Sequence, residues 1–162
     1  MSPSAERQLA PIRTETPGEM LMVGLSAEFT SPRGISELWQ RFAPHIGQIP
    51  GQIGNIAYGV VTSDGSNTAK FNYAAAVRVN AFANVPAQLN KLTIPAYKYE
   101  VFRHDAHASQ ISSTVEKLHK MGAFTAGIPS EGKFLAFLEY YGEQFDPKTG
   151  LGGMEVWLPS KD

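Results

Sequence analysis

The order strand, helix, hairpin occurs twice along this chain, and that repetition limits the folds open to it more than any single motif does. In the first pass, Met20 to Phe29 is an apolar run rich in strand formers, interrupted by Gly24. It ends at Ser31-Pro32, a capping residue followed by the residue best tolerated in a first helical turn. Ile35, Leu38, Trp39, Phe42 and Ile46 then recur at helical spacing on one face, and Gly47 stands where a left-handed C-cap is wanted. After a Gly- and Pro-rich loop from Gly47 to Gly54, the strand-like runs Ile56 to Thr62 and Lys70 to Val79 flank Ser63-Asp64-Gly65-Ser66-Asn67, a hairpin signal.

The second pass repeats the first. Tyr97 to His104 reads as a strand with Tyr97, Tyr99 and Val101 on one side, and Ile111, Val115 and Leu118 share the face of a helix that Gly122 closes. Lys133 to Tyr141 and Met154 to Leu158 are closing strands joined by the turn-rich segment from Gly142 to Gly153, which holds Asp146-Pro147 and Gly152-Gly153. Each half has one sheet face to cover and one helix to cover it with, so the halves must pack together. The expected fold is α+β: a tandem pseudo-twofold βαββ repeat, about 19–80 and 92–159, with an antiparallel sheet, two main helices and a ligand cleft where the halves meet. Residues 19–162 read as one domain, and residues 1–18, polar and proline-bearing, as a flexible lead-in.

Composition narrows the chemistry. Of 162 residues, 43% are hydrophobic and 18% charged, enough for a core and too apolar for a disordered chain. Cysteine is absent, which removes disulfides, thiolate metal sites and cysteine nucleophiles and fits a cytoplasmic setting. Fourteen Lys plus Arg against 15 Asp plus Glu, with no run of one sign, gives no basic stripe for direct nucleic-acid binding. No apolar stretch has the length of a signal peptide or a membrane span.

Along the Lys133 to Tyr141 strand, the period-two rule sets Leu135, Phe137, Glu139 and Tyr141 on one face, an acid between aromatics. A carboxylate removed from water is costly unless paired or protonated, so its proton affinity should rise and an organic cation becomes a fitting partner. Nearby aromatic faces add roughly 0.5 to 2 kcal/mol per well-placed cation–π contact. Tyr73 and Tyr99 suit a half-wet cavity wall and equally a core, and Trp157 follows Glu155 on one strand face and can pack beside the cavity. Trp39 belongs to the helical stripe, where core is the ordinary reading and a ligand platform the alternative. Ala57, Gly59, Ala74 and Ala76 make a sheet face poor in bulk, leaving either room for a ligand or close backbone approach.

Several motifs, in this order and spacing, resemble the gyrase-inhibitor-like, AraC-type effector-binding domain family, its integron-cassette branch above all. They are Leu38-Trp39-Gln40-Arg41-Phe42, Phe71-Asn72-Tyr73-Ala74-Ala75, Ile94-Pro95-Ala96 leading into Tyr99-Glu100-Val101-Phe102-Arg103-His104, the run from Leu138-Glu139-Tyr140-Tyr141 to Pro147, and Glu155-Val156-Trp157-Leu158-Pro159. The resemblance covers nearly the whole chain from about Met20 and implies binding of drug-like or metabolite effectors, as in the ligand-sensing halves of transcription regulators. It implies that Glu139 is the acid receiving cationic, lipophilic ligands; the family commonly has Phe before this acid, where this chain has Leu138.

Two other classes compete. A hydrolase of small reactive electrophiles would use Glu139 as general base, with Tyr141 or Tyr99 donating a hydrogen bond to the developing charge. An interaction module would act through a protein partner or a second copy of the chain. No cofactor fingerprint is present. His104-Asp105-Ala106-His107 has metal-ligating residue types without the periodicity to aim them at one ion, so a strand end and a cap from Asp105 or Ser109 is the expectation.

Overall fold

The computed structural model describes residues 10–31, 33–63, 70–120, 128–130, 133–146 and 148–160. Pro32 of the helix-start signal, residues 64–67 of the expected hairpin turn, Gly122 and Pro147 lie outside them. The described elements are strands β1 (Arg13–Glu15), β2 (Met20–Phe29), β3 (Gln52–Ser63), β4 (Phe71–Val79), β5 (Asn90–Ile94), β6 (Lys98–His104), β7 (Ile128–Ser130), β8 (Lys133–Tyr141) and β9 (Met154–Ser160), with helices α1 (Ile35–Phe42) and α2 (Ile111–Lys120). All strand pairings are antiparallel, in the order β1-β6-β9-β8-β3-β4-β2-β5, with β7 beside the start of β8.

That order is a palindrome when the two halves are exchanged. β3 and β8 pair at the centre, β4 and β9 flank them, and β2 and β6 follow. The outermost strands are β1 and β5, and each is swapped: β1 precedes β2 in the chain but pairs with β6, while β5 precedes β6 but pairs with β2. The βαββ repeat is thus extended by one strand per half, lent to the other half's edge. β1 falls within the segment expected to be flexible; Arg13 binds it down, donating to Glu155 Oε1 and Oε2 at 2.7 and 2.8 Å and to Glu15 at 2.5 Å.

The short link between β5 and β6 dictates the sheet's curvature. These strands are six positions apart, about 29 Å in a flat sheet at ~4.8 Å per strand. Ile94 and Lys98 are four residues apart, which spans at most about 14 Å. The sheet therefore curls until its ends meet, and its inner face gathers Met20 and Ile94 from one end with Tyr99, Val101, Leu138 and Trp157 from the other into one buried cluster.

The outer face carries both helices. Beneath α1 lies a cluster of Val23, Leu38, Phe42, Tyr73, Ala75 and Val77; beneath α2 lies one of Phe102, Ile111, Leu118, Val156 and Leu158. α1 begins after Gly34, at φ 98°, with Ser31 Oγ accepting the Arg33 N–H (3.3 Å), and Gly47 takes the left-handed conformation expected of it, φ 90°. The turn before α2 is capped by His107, not by Asp105 or Ser109 side chains: His107 Nδ1 accepts the Ser109 backbone N–H at 3.0 Å. His104, 3% exposed, has both ring nitrogens engaged, Nε2 by the His107 carbonyl (2.8 Å) and Nδ1 by Thr114 Oγ1 (2.7 Å).

Candidate functional site

Four of the residues singled out in the sequence meet at one point on the outer face. Glu139, on central strand β8, is 6% exposed. Tyr73 of β4 donates its hydroxyl to Glu139 Oε1 at 2.5 Å, and Tyr141, two residues along β8, donates to the same oxygen at 2.9 Å. Trp39 of α1 donates its indole N–H to the Tyr73 hydroxyl at 2.9 Å, and its ring lies edge-on to that of Tyr141, centroids 5.3 Å apart. Trp39 is thus both a member of the helical stripe and an outer layer of the acid's surroundings. Phe137, half-buried on the same strand face, packs against the clusters beneath both helices. Tyr141 borders the α2 cluster while touching Trp39 of α1, so the acid stands at the seam of the halves.

Register explains why these residues converge. In the β8-β3-β4 ladders Glu139 pairs with Gly59, which pairs with Ala75, so the three share a face. Tyr73 is two residues from Ala75 and therefore points the same way. Gly59 is the gap that lets the two side chains meet above the sheet: a Cβ there would come within 2.6 Å of Glu139 Oε1 and closer still to the Tyr73 hydroxyl. The space over Gly59 is filled by the acid and its phenol. Ala74 and Ala76, expected on the same low-bulk face as Ala57 and Gly59, lie in the inner-face cluster instead, because antiparallel pairing sets Ala57 and Gly59 opposite Val77 and Ala75.

The other expected residues divide. Leu135 faces inward: the β3–β8 register slips between Val61 opposite Phe137 and Thr62 opposite Leu135, a bulge at Ala136 that inverts the alternation. Tyr99 and Trp157 also face inward, since Trp157 pairs with Leu138 rather than with Glu139. There Trp157 stacks on Tyr140 (centroids 5.3 Å, planes at 12°), and its N–H donates to Glu155 at 3.0 Å. The Tyr99 hydroxyl is buried with no hydrogen-bond partner among the described residues. Sequence reasoning gave no role to Val156, which stands opposite Glu139 in the β8–β9 ladder, or to Ala75, which stands opposite Gly59 in the β3–β4 ladder. A cavity of about 250 Å³ also opens on the inner face, with Ser26, Val60, Thr62, Asn72, Asn90 and Leu92 among its walls; Glu139 is not one of them.

Burial raises the pKa of Glu139 above its ordinary value, and the phenol hydrogen bonds from Tyr73 and Tyr141, which favour the charged form, offset this only in part. Tyr73 and Tyr141 are raised well above the usual phenol value, by burial first and then by the carboxyl beside them, so both remain hydrogen-bond donors. No described Lys, Arg or His forms an ion pair with Glu139. The arrangement is an acid enclosed by rings and held by neutral donors, with no resident cation among the described residues. Those residues contain no cluster of three metal-ligating side chains and no helix long and apolar enough to cross a membrane.

Comparison with known proteins finds relatives of the chain and of its fold. The family model described as GyrI-like small molecule binding domain covers residues 10–161. The transcriptional regulator BrlR of Pseudomonas aeruginosa is 30% identical over 127 residues, 77% of this chain and 46% of that protein. The chain therefore spans about half the length of the curated relative it matches. Among solved structures, SAV2435 bound to tetraphenylphosphonium has a TM-score of 0.67 at 18% identity, covering 92% of this chain and 93% of that one. The integron cassette protein VCH_CASS2, from the mobile metagenome of Vibrio cholerae, has a TM-score of 0.55 at 13% identity, covering 94% and 95%.

Proposed function

This chain belongs to the GyrI-like small molecule binding domain family, and from that premise we propose that it binds bulky, lipophilic organic cations at the seam, with Glu139 as the anionic partner. On this reading Trp39, Tyr73, Phe137 and Tyr141, the rings around the acid, supply the aromatic contacts to the ligand. The observation that carries it is a buried carboxyl among rings that forms no ion pair with a described Lys, Arg or His. A lipophilic cation is weakly hydrated, so moving it into such a site costs little, and its charge balances that of the carboxylate. Ring faces add roughly 0.5 to 2 kcal/mol per contact without demanding one ligand shape, which gives broad specificity.

Tetraphenylphosphonium, bound to a protein of the same fold, supplies the probe. Titration should show it binding well above the neutral, similarly shaped triphenylphosphine oxide, with Trp39 emission reporting occupancy. Equal affinity for the two would overturn the reading. The ligand should be recovered unchanged by mass spectrometry. A hydrolase would need a phenol free to donate to developing charge, whereas Tyr141 is engaged by Glu139 and Tyr99 lies across the sheet. The regulator relative supports a cytoplasmic sensing role in which DNA contact belongs to another segment or chain.

A further inference from the structure

The hydrogen-bond directions around Glu139 fix where its proton can sit. An indole N–H only donates, so the Tyr73 oxygen accepts from Trp39 and its own hydrogen goes to Glu139 Oε1. Tyr141 gives its hydrogen to the same oxygen. With two hydrogens received, Oε1 has its acceptor positions taken, so any proton this carboxyl carries sits on Oε2.

Among the described residues, the groups around the acid supply no opposing charge. Gly59 of β3 and Val156 of β9 stand opposite it in the ladders, Tyr73 of β4 and Tyr141 of β8 donate to it as neutral phenols, and α1 contributes the neutral indole of Trp39. The charged residues of the helices, Glu37 and Arg41 on α1 and Glu116, Lys117, His119 and Lys120 on α2, are exposed.

We propose that unliganded Glu139 carries a proton on Oε2 and that an organic cation enters by displacing it, so the site exchanges one proton for one cation. This rests on the cation-binding reading above and deepens it. The balance is simple: the O–H bond of the carboxyl breaks, its electron pair remains on Oε2 as the counter-charge of the bound cation, and the proton leaves to solvent. The two protonation states also select different guests. The neutral acid offers an O–H donor to uncharged acceptors, and the carboxylate takes cations. Affinity for a permanent cation should therefore rise by about tenfold per pH unit while the free site is protonated, and level off once it is not.

The experiment is calorimetric titration of the full chain with tetraphenylphosphonium, between about pH 5 and about pH 9, in buffers of small and large ionisation heat. The expected result is a buffer-dependent heat that corresponds to nearly one proton released per cation at the low end and falls as pH rises. Difference infrared spectra should lose a protonated-carboxyl C=O band as the cation is added, a readout that needs no variant. Glu139→Gln should bind more weakly, release no proton and show no pH slope. Tight binding with no proton release at any pH and no lost carboxyl band would overturn the exchange while leaving cation binding intact. An absence of binding would overturn both.

Discussion

Gly59 and Glu139 stand directly opposite each other where the two halves of the sheet join, and the missing side chain of the first makes room for the carboxyl of the second. The site thus depends on an asymmetry at the centre of a pseudo-symmetric fold. Gly59→Ala tests it. The backbone tolerates alanine there, since Gly59 is not among the positive-φ glycines, but the methyl would strike Glu139 Oε1 and the Tyr73 hydroxyl. We expect a loss of about 1 to 3 kcal/mol in stability by denaturant unfolding, with weakened cation binding.

Tyr73→Phe removes the donor to Glu139 and leaves the Trp39 indole N–H without its acceptor. A cost of about 1 to 2 kcal/mol is expected, with a shifted Trp39 emission maximum and a further rise in the proton affinity of Glu139, because a hydrogen bond favouring its charged form is gone. Unfolding monitored by fluorescence across a pH series checks all three.

The raised pKa of Glu139 sets the sign of a pH effect on stability. Its ordinary value is 4.5 and burial lifts it, so above 4.5 the folded chain holds a proton that the unfolded chain has released. The stabilisation is fully present below 4.5 and is lost as pH climbs through the raised value. Glu139→Gln keeps an acceptor for both phenols without a titrating charge. The variant should gain stability relative to the parent as pH rises, with the gap closing on acidification; parallel stability curves would contradict this.

Both ring nitrogens of His104 are engaged within the fold. Its Nε2 meets a carbonyl oxygen, which only accepts, so Nε2 carries a proton and ties β6 to the turn before α2, while Nδ1 meets Thr114 in α2. His104→Ala should cost about 1 to 3 kcal/mol by orphaning these groups, and should speed amide exchange in α2. Zinc should leave the melting temperature of the parent unchanged.

Much of this was legible because it depends on local periodicity. The stripe of Ile35, Leu38, Trp39 and Phe42 announces a helix, and the alternation of Phe137, Glu139 and Tyr141 puts an acid among rings. What escaped depends on long-range pairing. β1 and β5 are three and five residues long and gain their identity from the opposite half, so no local signal marks them. Leu135 follows the alternation on paper, but the bulge at Ala136 turns it inward. Tyr99 and Trp157 are aromatic in the same way as Tyr73, and which face each occupies follows only from the register Trp157 to Leu138 and Tyr73 to Val61.

The central claim is that the carboxyl of Glu139 supplies the attraction for organic cations. Its most direct test is the affinity of tetraphenylphosphonium for the parent and for a folded Glu139→Gln variant, measured by calorimetry at a pH where the parent acid is ionised. The account predicts a loss of about 1 to 3 kcal/mol, roughly 5- to 150-fold in Kd, with little change for neutral triphenylphosphine oxide. Undiminished cation affinity in the folded variant would contradict it.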